Sequence, residues 1–290
     1  MTRVSYGKIA VLISCHNRRE KTLACLNALT ASLIPGSVSI QVFLVDDGST
    51  DGTGEAVRRR YADVRVIEGD GKLYWNGGMR QAFAAAMEQG FDYYLWLNDD
   101  TFLYPHALAT LLKTAEAIEK EKGEAAIVVG TMQAEPNGPP TYGGVVRISR
   151  WRPVKFQLVT PSSEPVPCET MNGNCVLIPR GAAKVVGNLD GVFIHSGGDT
   201  DYGLRAGKAG FPLAVMPGYA GICTKNPVKG TYADPALPLR DRLSKMRSPK
   251  GLPAGPWYIF TRRHAGPFWW LFWIWPYVRI IGCAWGFRKT

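Results

Sequence analysis

Short apolar runs recur along the chain, and most of them stop at a polar loop rich in Asp, Asn or Gly. The runs at 9–14, 40–45, 64–67, 93–98 and 127–129 have the length and β-branched content of buried strands. Between them lie stretches with apolar residues at helical spacing, predicting helices over 20–31, 54–61, 79–89 and 105–121. Pro105 stands at a helix start, where its missing N–H costs nothing. Strands alternating with helices predict an α/β fold with a mainly parallel sheet and right-handed crossovers. All parallel strands then deliver their following loops to one edge. The loops at 14–18, 46–53, 68–78 and 98–101 should meet there. Further on, 130–168 reads as an irregular segment with a hairpin. A strand over 172–179, a short helix over 181–186, a helix capped by Asp199 and a strand over 213–216 follow.

Composition narrows the class. With 46% hydrophobic and 20% charged residues, the 290-residue chain is globular. The opening residues are polar and give no secretory signal. Six cysteines are scattered without a CxxC pair, which argues against zinc and dithiol chemistry and for reduced thiols. The net charge of +10 is concentrated at one end: residues 240–290 hold ten Lys/Arg and one Asp. That is a basic tail, not a nucleic-acid-binding surface. No G-x-G-x-x-G follows the first strand, and Gly71-Lys72 lacks the flanking pattern of a phosphate-binding Walker loop.

The run Leu95-Trp96-Leu97-Asn98-Asp99-Asp100 ends in two adjacent carboxylates. Such a pair repels itself unless a cation intervenes, and a divalent metal holding a phosphate is one such cation. A polar turn ahead of Pro105 is the plainer reading of the same residues. Asp46-Asp47-Gly48-Ser49-Thr50-Asp51 is turn-forming too, with Asp51 a helix cap. The segment Gly71 to Gly78 would let a ligand approach the backbone closely. Within it, Trp75 either stacks on a sugar face or is buried to fix the loop. Asp201 and Arg205 are spaced to pair at i,i+4.

Taken together, these motifs resemble the family 2 glycosyltransferases with the GT-A fold, over about residues 8–225. Val11 to Arg18 matches the opening strand and loop, with His16 where an aromatic usually stands. Val45 to Thr53 matches the second motif, Asn98-Asp99-Asp100 the metal motif, and Gly198-Asp199-Thr200-Asp201 with Leu204-Arg205-Ala206 the segment of the catalytic base. Tyr74 to Met79 and Asn172-Gly173-Asn174-Cys175 look like the bacterial rhamnosyl- and galactofuranosyltransferase branch. Gly198 departs from the pattern, since an acid often stands there. Cys223 lies near the expected position of a metal-binding His.

The resemblance implies an inverting transferase that uses a nucleotide-sugar, dTDP- or UDP-linked, with Mn²⁺ or Mg²⁺. It implies Asp199 as general base and Asp100, helped by Asp99, as metal ligand. Asp46 would hold the nucleotide base, with Asp47 beside it. Ser14, Cys15, His16, Asn17, Arg18, Gly71, Trp75, Asn76, Gly77, Gly78 and Asn98 would complete the donor side, and Asn174, His195 and Asp201 the acceptor side. The acceptor would be a glycan or lipid-linked glycan of a surface polysaccharide. A sugar nucleotidyltransferase and a non-catalytic protein on a degenerate transferase fold are the rival readings.

The expected organisation is a transferase domain over 1–230, with its donor half at about 1–130 and its acceptor half at 131–230. An extension over 231–290 follows. The stretch 256–287 carries Trp257, Trp269, Trp270, Trp273, Trp275 and Trp285 among basic residues. Its longest uncharged run, 265–278, is shorter than the ~20 residues a spanning helix needs. Tryptophan beside Arg and Lys predicts a peripheral anchor on an anionic membrane surface, at the cytoplasmic face of the inner membrane. The alternative is an interface in an oligomer or a flap packed on the core.

Overall fold

In the computed structural model, residues 7–36 and 38–284 are described. In chain order come β1 (Lys8–Cys15), α1 (Arg19–Thr30), β2 (Ser39–Asp46), α2 (Thr53–Arg60), β3 (Arg65–Glu68), α3 (Tyr74–Met87), β4 (Tyr93–Leu97), β5 (Phe102–Leu103) and α4 (Ala107–Lys122). Next are β6 (Ile127–Gln133), β7 (Pro140–Tyr142), β8 (Gly144–Arg147), β9 (Phe156–Leu158), β10 (Val166–Pro167), β11 (Thr170–Met171) and β12 (Cys175–Pro179). The chain continues with α5 (Arg180–Val186), α6 (Gly198–Lys208), β13 (Leu213–Ile222), α7 (Leu239–Arg247), α8 (Ala254–His264) and α9 (Trp269–Ala284).

The main sheet runs in the order β10-β13-β6-β12-β4-β1-β2-β3. β3, β2, β1 and β4 are mutually parallel, as are β6 and β13. β12 runs antiparallel between β4 and β6, and the short edge strand β10 is antiparallel to β13. The expected acceptor half therefore threads a strand through the middle of the donor half, and the two share one sheet. Both faces are buried. Ile9, Val11 and Ile13 join the layer under α1 and α4, while Ala10 and Leu12 join the layer under α3 and α6. Burial on both faces explains why these strands read as continuous apolar runs. β8, β9 and β11 form a small antiparallel sheet of their own.

Two predicted boundaries are corrected. Helix α3 begins at Tyr74, five residues before Met79, so Trp75 to Gly78 is helix and not loop. Intrinsic propensity disfavours a start through Gly77-Gly78. The Asp47 carboxylate overrides it by accepting hydrogen bonds from the N–H groups of Gly71, Leu73 and Tyr74, at 2.8, 3.2 and 2.9 Å. Gly78 then has a packing reason, because a Cβ there would lie 2.1 Å from Ser14 Oγ on β1. The second correction concerns α6, which is capped by Gly197 in a left-handed conformation; Asp199 lies inside its first turn.

The tail folds back as three helices. α8 seats on α6: Asp201, fully buried, meets Arg205 at 2.7 Å, Arg263 at 3.2 Å and His264 at 2.9 Å. The expected Asp201–Arg205 pairing is therefore present. Phe260 packs edge-on against Phe193, 6.4 Å between ring centres. Burial pushes Asp201 up, but hydrogen bonds from His264 and Arg205, with the Arg263 charge, hold it below the usual carboxylate range. Helix α9 packs on α8 through Trp269 and Trp273 against Tyr258. Its other face leaves Trp275 61% exposed, with Trp270, Ile274 and Val278 exposed beside it and Phe268 exposed just ahead of the helix. Among the described residues no helix is long and apolar enough to cross a membrane. Trp285 lies outside them.

Candidate active site

The loops after β1, β2 and β4 and the loop leading into the antiparallel β12 meet with the first turns of α3 and α6 around a cavity of about 770 Å³. Ser14, Cys15, His16, Arg18, Asp47, Gly71, Trp75, Asn98, Asp99, Asp100, Asn174, His195 and Asp199 line it, as the convergence of strand ends predicts.

One wall carries the carboxylate pair. Asp99 is buried and Asp100 partly exposed, and the Arg18 guanidinium bridges them at 3.0 and 2.8 Å. Here the intervening cation is a side chain of the chain itself. Burial pushes Asp99 up to about 6, with the Arg18 charge opposing and the Asp100 charge adding. Asp99 Oδ2 is buried with no hydrogen-bond partner. Asp100 Oδ1 accepts a long contact from the Cys223 thiol at 3.7 Å, and Cys223 Sγ in turn lies 3.4 Å from Asn174 Nδ2. The pair offers hard oxygens, one of them orphaned, and so fits a divalent cation such as Mn²⁺ or Mg²⁺. No group of three or more His, Cys, Asp or Glu suited to a metal occurs among the described residues, so such a cation needs further oxygens from a bound phosphate or water.

The opposite wall carries Asp199. Its Oδ2 accepts from the Gly173 N–H at 2.9 Å, and its Oδ1 from the Thr200 N–H at 2.7 Å. Position 173 must be glycine for this approach, since a Cβ there would fall 2.4 Å from the Trp75 ring. Burial raises Asp199 above the ordinary carboxylate range, against those two hydrogen bonds. Trp75 spans the two walls, donating from Nε1 to Asn98 Oδ1 at 2.6 Å and lying edge-on to Trp96. It both fixes the wall and faces the cavity. His195 packs against Tyr74, its Nδ1 buried without a partner.

Several expected site residues lie elsewhere. Asp46 is buried beneath the β2–α2 turn, accepts from the Ser49 N–H at 3.1 Å and does not line the cavity; Asp47, capping α3, does. Asn17 ties the first loop to the second through Thr50. Asn76 is fully buried and donates to the carbonyls of Asp190 and Phe193. Gly77 lies against Leu73 and is half-buried, and Gly78 lies against Ser14 on the buried side of α3. Asp201 points away from the cavity into the α8 contact. Conversely, Tyr74, Tyr142, Gly173, Ser196, Asn226 and Lys250 line the cavity without having been singled out as site residues. The Asn172-Gly173 turn was a usable signal. Lys250, ~50 residues beyond the matching motifs, carried none.

The family model described as glycosyl transferase family 2 matches residues 10–187. An N-acetylglucosaminyl-diphospho-decaprenol L-rhamnosyltransferase of Mycobacterium tuberculosis is 26% identical over 235 residues, covering 72% of each chain. A hyaluronan synthase of Streptococcus pyogenes is 33% identical over 114 residues, covering 37% of this chain and 26% of its own length. Among solved structures, the mannosyltransferase PcManGT from Pyrobaculum calidifontis, in complex with GDP-Man and Mn²⁺, superposes with a TM-score of 0.52. The match has 17% identity and covers 86% of this chain and 67% of that one. S. aureus TarS 1–349 gives 0.53 at 16% identity, covering 88% and 69%. Those two likenesses speak for the fold. With the family model spanning more than half of its length, the chain belongs to glycosyl transferase family 2 and is a glycosyltransferase.

Proposed function

We propose that this protein transfers a sugar, with inversion, from a dTDP- or UDP-linked donor to a hydroxyl of a lipid-linked glycan in surface polysaccharide synthesis. The observation that carries this reading is the division of one cavity between two acidic groups held differently. Asp99 and Asp100 stand on one wall with the half-exposed Arg18 between them, and Asp199 stands on the other, held by backbone N–H groups.

In this reading Asp47, not Asp46, faces the nucleotide. Asp99 and Asp100 would hold Mn²⁺ or Mg²⁺, which when bound offsets the charge gathering on the departing nucleoside diphosphate. Asp199 takes the proton of the acceptor hydroxyl while that oxygen bonds to the anomeric carbon and the bond from that carbon to the diphosphate breaks. Its raised affinity for protons suits a base that must accept one. The relative acting on a diphospho-decaprenol substrate supports a lipid-linked acceptor. The exposed aromatic face of α9, with the basic residues of α7 and α8, supports peripheral attachment to an anionic membrane surface.

The test is a pair of variants assayed with Mn²⁺ against dTDP- and UDP-sugars. Asp199→Asn should abolish transfer and keep donor binding; Asp100→Ala should lose metal-dependent donor binding. An active Asp199→Asn protein would remove the assigned base.

A further inference from the structure

The cavity is lined by Asp47, Asp99, Asp100 and Asp199, and by only two cationic side chains among the described residues, Arg18 and Lys250. Arg18 is committed to the Asp99–Asp100 pair. Lys250 is exposed and has no hydrogen bond or ion pair with any described residue. A flexible cation left free beside four carboxylates would ordinarily lean onto one of them. This one makes no such contact, and it is carried on the turn between α7 and α8.

That turn is built. The Gly251 N–H bonds to the Ser248 carbonyl at 2.9 Å and the Leu252 N–H to the Met246 carbonyl at 2.8 Å, over a fully buried Met246 side chain. A Cβ at Gly251 would lie 2.2 Å from the Lys245 carbonyl oxygen, so only glycine lets the chain close here. Helix α9 braces it from below: Tyr277 Oη donates to the Leu252 carbonyl at 2.8 Å, and Trp273 Nε1 to the Ala254 carbonyl at 3.1 Å. The helix with the exposed aromatic face therefore braces the turn that brings Lys250 to the cavity.

A second group points the same way. His195 lines the same wall, and its Nδ1 is buried without a partner. Burial, then the fields of Lys250 and Arg18, push it down to about 4, so it meets a ligand as a neutral imidazole. Lys250 and His195 line the same cavity as Asp199, and the charge of Lys250 acts on the His195 ring.

We propose that Lys250 and His195 form an anion subsite that seats the diphosphate of a polyprenyl-diphosphate-linked acceptor, with the C-terminal extension supplying its charge. This rests on the lipid-linked acceptor reading above. A strongly anionic group entering between the membrane-facing helix and Asp199 finds its one uncommitted cation there. Lysine binds phosphate as a point charge without needing a fixed fork, which suits a headgroup arriving on a mobile chain.

The experiment uses the full-length protein in detergent and two probes: a short-chain polyprenyl diphosphate, and UDP or dTDP with Mn²⁺. Lys250→Ala should weaken polyprenyl diphosphate binding at least about tenfold, the scale of one charge-assisted contact. Nucleotide binding should be unchanged, and Lys250→Arg should retain lipid binding. His195→Gln, which keeps a neutral polar group, should weaken the lipid probe less than Lys250→Ala does. If Lys250→Ala weakens nucleotide binding instead, the subsite belongs to the donor and the proposal falls. Unchanged binding of both probes, or no lipid binding by the parent protein, also overturns it. Nucleotide binding by the parent protein reports separately on the transferase reading.

Discussion

Asn76 Oδ1 occupies the space that a side chain at position 198 would need: a Cβ on Gly198 would lie 1.8 Å from that oxygen. The acid that often stands here in the family is thus excluded by a buried amide on α3, which is itself tied to the Asp190 and Phe193 carbonyls. Gly198→Ala should lower stability by about 1–3 kcal/mol through overpacking. Asn76→Ala opens that space but abandons two hydrogen bonds. The double variant should be less destabilised than the sum of the singles, as a thermal-melt cycle would measure.

The Arg18 bridge gives a metal-linked prediction. Arg18→Gln leaves Asp99 and Asp100 facing each other without a cation. Arg18 is 41% exposed, so the loss in metal-free protein should be modest, about 1–2 kcal/mol. Mn²⁺ should raise the melting temperature of the variant more than that of the parent. Equal shifts would show that Arg18 and the cation do not share the same site.

Acid should weaken the seat of α8. Because Asp201 is held below the ordinary carboxylate range, the unfolded chain takes up its proton first as pH falls below about 4. The stabilisation is complete above that pH and is lost below it. Burial also holds His264 below its ordinary value, so at neutral pH it serves as a neutral donor to Asp201. Asp201→Ala leaves its partners without their buried acceptor and should cost about 3–5 kcal/mol. Proteolysis in the segment joining α7 to α8 should rise with it.

The transfer rate has its own acid limb. Asp199 must be ionised to take a proton, and burial raises it above the usual carboxylate range. The rate should fall with decreasing pH through an apparent value above that range, without a matching loss of donor binding. A rate flat to pH 4 would contradict the assignment.

Membrane attachment is best tested on the surface, not by truncation. Cutting near residue 256 would also remove Phe260, Arg263 and His264 from the core contact. Trp270→Ser with Trp275→Ser alters only exposed positions. It should reduce sedimentation with phosphatidylglycerol vesicles while leaving the stability within about 0.5 kcal/mol of the parent, as measured by thermal melting. Unchanged sedimentation would point to a protein partner for that face.

Most strands were legible because burial on both faces writes them as unbroken apolar runs, and their polar ends located the cavity. Two kinds of feature were not. Asp46 and Asp47 are neighbours of one chemical type, and which of them turns outward depends on the distant loop at 71–74 that Asp47 caps. Helix α3 began early for the same reason, its donors satisfied from another element and not by its own sequence. Lys250 was invisible because its place in the cavity comes from the packing of three tail helices, whose aromatic composition drew attention to the outer face and away from the inner turn.

Asp199 and Asp201 share one helical turn and face opposite ways, the first into the cavity and the second into the contact with α8. The contact that seats the tail is therefore made by the same turn that carries the proposed base. The family match ends at residue 187, yet the working unit does not. A protein cut to the matched span would keep most of its sheet but lose α6 with the proposed base Asp199, and with it the surface on which the tail is seated.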